Sequence, residues 1–504
     1  MKKQSLWIRL LGLTLALIMT VSVFAACATE DEEGSADASQ SEVDGSEGTT
    51  EPVGETDENG FLLDDLPEDL KFDKTVRILG VEEYKYQFYF KEEDVGEDPI
   101  AQIIYKRNET VEERLGVEFE WDFSKGEWGS RNTFLKAVET ACETDPYDAM
   151  TCYNLVPYML AQKGLCANLY GDNYLDLTAP WWPEAQISEL LINDTLYAVT
   201  ESNEKGLLVN MMAMFFNNTL LEAKKLESPY ELVKKNEWTI DKFSSMIKET
   251  YEDKNGDGKA DSGDIYGFIN ATESKSDAWF YALGYRFSEK QNDQVVSFVE
   301  DPKIQDYVDT MLTFYDSKDV MRADVSKYGG IGQCKMFYTE QVYFYSSAIF
   351  MGEAANNEGI NFGVVPLPKL NSQQDRYYTH ISNTYDTWCV SHNADDIDLS
   401  SAVLECMASE SYRKTGPLYY DVNIKLRYAP DERLGEMYDL VRDSVTFDLI
   451  YLYSCAYPDA GSAPKELVKK CVLSPTSAQW ASSLAANKDT WSQSFSAILE
   501  TYQK

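Results

Sequence analysis

The segment from Lys74 to Tyr153 alternates strand-like and helix-like patterns, and it decides the fold class. KTVRILG at residues 74–80 is a mainly apolar run typical of a strand. Asp98 and Pro99 then begin DPIAQIIYKRNETVEERL, in which apolar residues recur at helical spacing. The same alternation continues with the strand VEFEW from Val117, the helix FLKAVETAC from Phe134 and the strand YDAMTCY from Tyr147. The pattern predicts an α/β protein in which helices connect the strands of a layered sheet.

The remainder of the chain continues the alternation of strand-like and helix-like patterns, and no linker interrupts it. We expect further helices around Thr239–Tyr251, around Pro302–Tyr315 and over the last thirty residues, and a strand around Asn361–Pro366. The body is too long for one α/β sheet, yet no Pro/Gly/Ser-rich segment divides it. Two lobes joined by several chain crossings would explain both observations.

Composition disfavours several functions. The 504 residues carry a formal net charge of −40, which repels phosphate and argues against a nucleic-acid partner. His380 and His392 are the two histidines, so His-based zinc sites and Ser-His-Asp catalysis are disfavoured. Aromatic residues make up 13% of the chain, and they would serve either large cores or flat platforms for a polyhydroxylated ligand.

The N-terminus has the pattern of a secretory signal. Lys2 and Lys3 precede an apolar stretch that ends in FAAC at Phe24–Cys27, which resembles a bacterial lipobox. Residues 1–27 are therefore interpreted as a lipoprotein signal peptide and lipobox, with Cys27 lipidated. Ordinary secretion, with cleavage near Ala26 or Ala28, is the alternative.

An acidic segment follows the lipobox. Residues 28–60 contain twelve Asp or Glu and no Lys or Arg. Such a segment buries little apolar surface and its charges repel one another, so residues 28–70 are predicted to form a disordered, extended tether. This places the body on the extracellular face of the cell membrane, held by its lipid anchor.

The other cysteines form no CxxC pair. Buried free thiols are favoured over a disulfide framework in a chain of this length, although one or two disulfides stay open. These eight cysteines are Cys142, Cys152, Cys166, Cys334, Cys389, Cys406, Cys455 and Cys471.

DKNGDGKADSGD at residues 253–264 fits the EF-hand type of calcium loop. Calcium prefers six to eight oxygen ligands, and the loop offers them at the required offsets. Position 12 is Asp264 instead of the usual Glu, and the alternative is a polar turn without an ion. The expected calcium ligands are Asp253, Asn255, Asp257, the Lys259 carbonyl, Asp261 and Asp264. A single copy in a large body indicates a structural ion.

The sequence around this loop resembles a known family. EWTIDKF at Glu237–Phe243, the acidic loop and IYGF at Ile265–Phe268 are similar to a stretch common in extracellular solute-binding lipoproteins, family 1-like, of ABC carbohydrate importers. Further resemblances follow in the same order over roughly residues 70–500: Asp148–Met150, Leu160–Leu165, Leu175–Trp182, Leu196–Val199, Phe215–Asn217, Asn361–Pro368, Tyr419–Asp421 and Arg433–Leu440.

The resemblance implies a two-lobed fold of the periplasmic-binding-protein type II kind, with a central ligand cleft. Lobe one would comprise residues 71–208 and 373–415, and lobe two residues 209–372 and 416–504. It also implies a non-enzymatic receptor that captures a sugar or oligosaccharide and passes it to ABC permease subunits. We expect a monomer.

Ligand-binding residues are predicted from their positions after predicted strands and from the positions that the family resemblance implies. For each of them, packing in the core is the alternative. Trp279 is the preferred aromatic platform, whereas Trp181 and Trp182 are interpreted as structural. The other candidates are Glu82, Tyr84, Trp128, Tyr153, Asn154, Glu201, Tyr281, Tyr385, Asp386 and Trp388.

The sequence is also compatible with two other functions. A secreted glycoside hydrolase would need a carboxylate pair, and 85 acidic residues offer many. A surface adhesion module would use the calcium loop, although a single loop without module repeats argues against it. An assay of glycan turnover and a screen of sugar binding separate these hypotheses.

Overall fold

The computed structural model describes residues 54–270, 276–321, 335–427, 432–474 and 479–503. The predicted signal peptide, the lipidation site at Cys27 and most of the predicted tether lie outside the described residues.

Two main sheets carry the architecture. The strands are β1 (Lys74–Val81), β2 (Val117–Ser124), β3 (Ala149–Tyr153), β4 (Met212–Asn217), β5 (Tyr266–Asn270), β6 (Ser288–Gln291), β7 (Gln294–Ser297), β8 (Val320–Met321), β9 (Val342–Ala348), β10 (Phe362–Val365) and β11 (Asp386–Cys389). Sheet one has the order β11-β3-β1-β2, sheet two has the order β10-β4-β9-β5-β8, and β6 and β7 form a hairpin. Strand β1 is parallel to β2 and β3, and β11 is antiparallel to β3. In sheet two, β5 is parallel to β8 and β9, whereas β4 is antiparallel to both its neighbours.

Helices cover both sheets and the crossings between them. The α-helices are α1 (Pro99–Leu115), α2 (Arg131–Cys142), α3 (Val156–Gln162), α4 (Glu184–Leu190), α5 (Lys205–Asn210), α6 (Asn218–Lys224), α7 (Pro229–Lys234), α8 (Ile240–Ile247), α9 (Asp277–Ala282), α10 (Lys303–Tyr315), α11 (Met351–Asn357), α12 (Ile397–Glu410), α13 (Glu432–Asp443), α14 (Leu449–Leu452), α15 (Pro464–Leu473) and α16 (Trp480–Thr501). Shorter 3-10 turns span Glu82–Gln87, Glu92–Asp94, Tyr453–Ala456 and Ala460–Ser462, and π-helical turns span Ser411–Thr415 and Pro417–Arg427.

The first crossover forms as its sequence predicts. The Asp98 side chain accepts a hydrogen bond from the Ile100 backbone N–H at 2.9 Å, which caps helix α1 at the proline that begins it. Gly116 ends the helix in a left-handed conformation, with φ of 60°, and β2 starts one residue later. The predicted strands at residues 74–80 and 361–366, and the predicted helices at residues 302–315 and at the C-terminus, are confirmed within a few residues.

Three hydrogen-bonded segments join the two sheets. Residues 210–212 run beside residues 380–382, where the Met212 N–H donates to the His380 carbonyl at 2.9 Å. Residues 444–446 lie on the other side, where the Thr379 N–H donates to the Ser444 carbonyl at 2.7 Å. These three segments, here called the hinge strands, explain why no separate linker divides the sequence. The predicted two-lobed α/β fold class is confirmed.

The tether prediction is wrong at its C-terminal end. Residues 54–70 pack on the body instead of extending into solvent: Leu66 is buried, and the buried Asp64 carboxylate forms ion pairs with Arg114 and Arg413. Two arginines on different elements neutralise this carboxylate, which the high acidic content of the segment does not reveal.

The described cysteines are free, and all except the half-buried Cys142 are buried, as expected. Cys334 lies outside the described residues. Trp181 and Trp182 are structural, because both indole N–H groups donate to the buried Glu405 carboxylate at 3.0 and 3.1 Å. Among the described residues, no helix is both long and apolar enough to cross a membrane.

Candidate ligand cleft

Exposed aromatic rings lie where strands of both sheets end. In parallel α/β sheets, ligands bind beyond the carboxyl ends of the strands. Tyr86 follows β1 and is 46% exposed, Trp128 follows β2 and is 38% exposed, and Phe350 follows β9 and is 43% exposed. A large ring left open to solvent at such an edge can stack on a flat apolar ligand face. Segments 271–275 and 322–334, which follow β5 and β8, lie outside the described residues.

Trp128 is also the point where residues of both predicted lobes meet. The Arg131 guanidinium lies over the Trp128 ring, 4.5 Å from its centroid. Lys465, at the start of α15, brings its ammonium group to 5.5 Å from the same ring and to 4.3 Å from the centre of Tyr451. All three distances are within the range of cation–π contact. A ring carried by sheet one therefore meets a cation from the C-terminal region.

Tyr451 is the centre of a buried polar network beside the hinge strands. Its hydroxyl lies 3.0 Å from Asn383 Oδ1, and 3.2 Å from both Asp277 Oδ2 and His380 Nε2. Asn383 Oδ1 also accepts a hydrogen bond from the Asn154 amide at 3.3 Å. The network connects the carboxyl end of β3 with the first turn of α9, and its amide, phenol and carboxylate groups are of the kind that bind sugar hydroxyls.

Several predicted residues come together around this network. Tyr84 is half-buried and stacks on Tyr153, with ring centroids 6.3 Å apart. Asn154, Tyr281 and Tyr385 line one narrow cavity together with His380 and Tyr451. These residues are buried, and the Oδ1 atom of Asn154 has no hydrogen-bond partner. Burial raises the pKa of Tyr84, Tyr281 and Tyr385, so these phenols stay neutral and act as hydrogen-bonding groups.

Trp279 does not face the cleft, which corrects the preferred sequence-based assignment. Its side chain has no exposed surface and packs among Phe243, Phe268 and Phe314, with ring centroids 5.4 to 6.0 Å away. All six residues of α9 are buried. Helical spacing cannot distinguish a core face from a cleft face when the helix is covered all round.

Glu201, Asp386 and Trp388 are corrected to core positions. Glu201 lies 3.6 Å from Arg107, and the side chains of both residues are about 1% exposed. Asp386 accepts a hydrogen bond from Thr151 at 3.2 Å, and Trp388 makes edge contacts with Phe88 and Trp121. Glu82, in contrast, is exposed and pairs with Lys85 at 2.9 Å. None of these contacts gives the four residues a direct role at the exposed rings.

Sequence inspection misses Tyr86, Arg131, Phe350, Tyr451 and Lys465. Tyr86 lies two residues after the candidate Tyr84, and Arg131 lies three residues after the candidate Trp128, so proximity to a strand end could have indicated both. Phe350 lies two residues after the end of β9, a position that the same rule would select. Tyr451 and Lys465 lie in C-terminal helical segments, and long-range packing alone brings them to the cleft.

The acidic loop at 253–264 forms a series of tight side-chain-capped turns. Asp253 accepts the backbone N–H groups of Gly256 and Gly258 at 2.7 and 2.9 Å, and Asp257 accepts that of Lys259 at 2.8 Å. Asp264 is completely buried; its Oδ2 accepts the Tyr251 hydroxyl at 3.0 Å, and its Oδ1 has no partner. Within the described part of the chain, no three carboxylate, imidazole or thiol side chains are grouped so that they could hold a metal ion.

Solved structures that superpose on this chain include sugar-binding proteins. The GacH receptor of Streptomyces glaucescens, solved unliganded and with acarbose, superposes with a TM-score of 0.52 at 14% identity, over 84% of this chain and 99% of that one. MalE of Bdellovibrio bacteriovorus, bound to maltotriose, gives 0.52 at 13% identity, over 84% and 99%. A cyclo/maltodextrin-binding protein with maltotetraose gives 0.53 at 12% identity, over 87% and 98%.

The fold is that of a two-lobed periplasmic binding protein. The resemblance predicted from sequence motifs is thereby confirmed at the level of fold. The sequence itself matches no protein-family model and no curated protein.

Proposed function

We propose that this chain is an extracellular substrate-binding protein that captures an oligosaccharide between its two lobes for import by an ABC transporter. The observation that carries the proposal is the set of exposed rings at the carboxyl edges of the two sheets, Tyr86, Trp128 and Phe350. Sugar rings present flat C–H faces that stack on such side chains, and several rings along a cleft suit an oligosaccharide more than a monosaccharide.

The binding step needs no catalysis. Trp128 and Arg131 already lie beside Lys465, and closure of the two lobes around the hinge strands would exclude water from the bound sugar. Asp277, Asn154 and Asn383 would hydrogen-bond the hydroxyl groups, because carboxylate and amide groups offer the acceptors and donors that sugars need. This arrangement supports a receptor that binds its ligand without changing it.

The experiment is a thermal-shift screen of the purified body against oligosaccharides, followed by calorimetric titration and a parallel assay of glycan turnover. Binding without turnover supports a receptor. Turnover of the bound glycan would support the hydrolase alternative, and the absence of binding to any oligosaccharide would refute the proposal.

The cellular setting belongs to the same proposal. Cys27 would carry the lipid anchor and hold a monomeric receptor at the outer surface of the membrane, next to its permease subunits. The signal-like residues 1–27 and their FAAC ending support this setting. Membrane fractionation of a Cys27→Ala variant tests it directly.

We further propose that the loop at 253–264 binds calcium as a structural ion. Its ligands would be Asp253, Asn255, Asp257, the Lys259 carbonyl, Asp261 and Asp264. The support is the EF-hand-like spacing together with the buried Asp264 oxygen that lacks a partner. Calcium binding would require carboxylates that now accept backbone N–H groups to turn towards a common point. Titration of the body with calcium in a calorimeter tests the assignment.

A further inference from the structure

Two cations at the exposed rings have no carboxylate partner. The Arg131 guanidinium stacks on Trp128, and Lys205 places its ammonium group 5.3 Å from the centre of Tyr86 and 6.0 Å from that of Tyr419. Neither side chain forms an ion pair with a carboxylate of the described residues. The Nε–H of Arg131 is buried and lacks a hydrogen-bond partner. Both cations therefore have hydrogen-bonding capacity left for a ligand.

Lys465 adds a third positive charge next to Trp128. Its ammonium group is almost fully buried, and its carboxylate partner, Glu466 at 3.5 Å, is shared with Lys469 at 2.8 Å. Two lysines thus divide one negative charge. Two positive charges therefore lie at Trp128 in a chain whose net charge is −40, although the buried Asp277 carboxylate lines the same cavity as Lys465.

Elsewhere in the described residues, several buried or half-buried arginines are compensated by carboxylates. Arg413 pairs with Asp64 and Glu410, Arg114 pairs with Asp64, and Arg107 lies beside Glu201. A cation that is partly removed from water and left unpaired costs free energy unless a ligand supplies the opposite charge. Burial lowers the pKa of Lys205, and the carboxylates of Asp98, Glu204 and Glu353 offset this only in part. An anionic group of a ligand beside Lys205 would balance its positive charge.

We propose that the captured ligand is an acidic oligosaccharide, whose sugar rings stack on Trp128 and Tyr86 while its anionic groups bind Arg131, Lys205 and Lys465. This inference rests on the proposed function and narrows it to one substrate class. Carboxylate and sulfate groups share the required chemistry, because both accept hydrogen bonds from guanidinium and ammonium groups. The pairing of a ring with an adjacent cation at two places indicates that acidic units occur at more than one position of the ligand.

The experiment is calorimetric titration of the body with four size-matched probes: maltotetraose, cellotetraose, tetragalacturonic acid and a sulfated chondroitin tetrasaccharide. Each titration is done in low and in moderate salt. The variants are Arg131→Gln and Lys205→Gln, and the matched control is Lys163→Gln, which removes an exposed lysine paired with Glu139 away from the exposed rings.

We expect an acidic probe to bind at least tenfold more tightly than either neutral probe, a difference of about 1.4 kcal/mol. This preference should decrease in higher salt, because ions screen charge–charge attraction. Arg131→Gln and Lys205→Gln should each reduce the ratio of acidic to neutral affinity about tenfold, and Lys163→Gln should leave it unchanged. The difference between the carboxylated and the sulfated probe identifies the anionic group.

Equal or tighter binding of the neutral probes would overturn the acidic-ligand inference and leave sugar capture standing. An acidic preference that survives both cleft substitutions would also overturn it, because the selected cations would then not be responsible. Binding of none of the four probes would count against the inference and against the proposed function together.

Discussion

Replacement of Trp279 by alanine should destabilise the protein without removing a ligand contact. The side chain is fully buried among Phe243, Phe268 and Phe314. Truncation of a buried aromatic residue costs about 3–5 kcal/mol, because it forfeits apolar burial and leaves a cavity. Close aromatic pairs contribute about 0.5–1.5 kcal/mol beyond their buried area. We therefore expect the free energy of unfolding to fall by an amount near the upper end of the range of about 3–5 kcal/mol.

Trp128→Ala is the matched control, since it removes the same side chain at a position that is 38% exposed. We expect it to cost about 1 kcal/mol or less in the free energy of unfolding. It should weaken oligosaccharide binding at least tenfold, because Trp128 is the ring at which Arg131 and Lys465 meet. Urea unfolding followed by circular dichroism measures the stability of both variants, and calorimetric titration measures their affinity.

The two tryptophans should therefore give opposite results. If Trp279→Ala unfolds at the same urea concentration as wild type, its assigned place in the core is wrong. If the folded Trp279→Ala protein also loses affinity while Trp128→Ala binds normally, the cleft has been assigned to the wrong ring.

Three further outcomes are expected. Burial, and after it the charge of Glu201, raise the pKa of Asp386 to about 7, so the folded protein holds a proton there that the unfolded chain releases above about pH 4. The contribution of Asp386 to the free energy of unfolding should therefore fall as pH rises from about 4 to about 7. Urea unfolding at pH 5 and pH 8 should show a smaller pH dependence for Asp386→Asn than for wild type, and the same pH dependence in both proteins would contradict this. Removal of calcium by a chelator should lower the melting temperature, since an ion at a hundredfold excess over its dissociation constant stabilises by about 2.7 kcal/mol, and an Asp253→Ala/Asp257→Ala variant should no longer respond to chelator. Cys27→Ala should move the protein from the membrane fraction to the soluble fraction, and retention in the membrane would disprove the anchor.

The sequence predicts the fold well where the deciding information is local. The helix from Pro99 to Leu115 has its cap, its proline and its terminal glycine within one continuous stretch, and β2 follows directly. The motif EWTIDKF likewise places Thr239 as the cap of α8, whose N–H at Lys242 it accepts. Caps, prolines and terminal glycines act on residues next to them in the chain, so their effect does not depend on the tertiary fold.

The candidate site is predicted less well, because exposure is a property of the folded molecule. Tyr84 and Tyr86 are two residues apart on one 3-10 turn, yet Tyr84 stacks on Tyr153 whereas Tyr86 is open to solvent. Trp279 and Trp128 are both candidate ligand-binding rings in the sequence, but in the structure Trp279 is buried and Trp128 is exposed. Lys465 is more than 300 positions from Trp128 in the chain, and no local pattern connects the two.

The most direct test of oligosaccharide capture is calorimetric titration of the purified body, compared with a Tyr86→Ala/Phe350→Ala double variant. Both rings are exposed, so the variant should fold as wild type does, which its urea unfolding curve verifies. We expect at least one acidic tetrasaccharide to bind wild type with a Kd of about 1 μM or below, about −8 kcal/mol, and to be recovered intact. The double variant should bind it at least tenfold more weakly. Cleavage of the sugar, or equal affinity of the folded double variant, would contradict capture at the exposed rings.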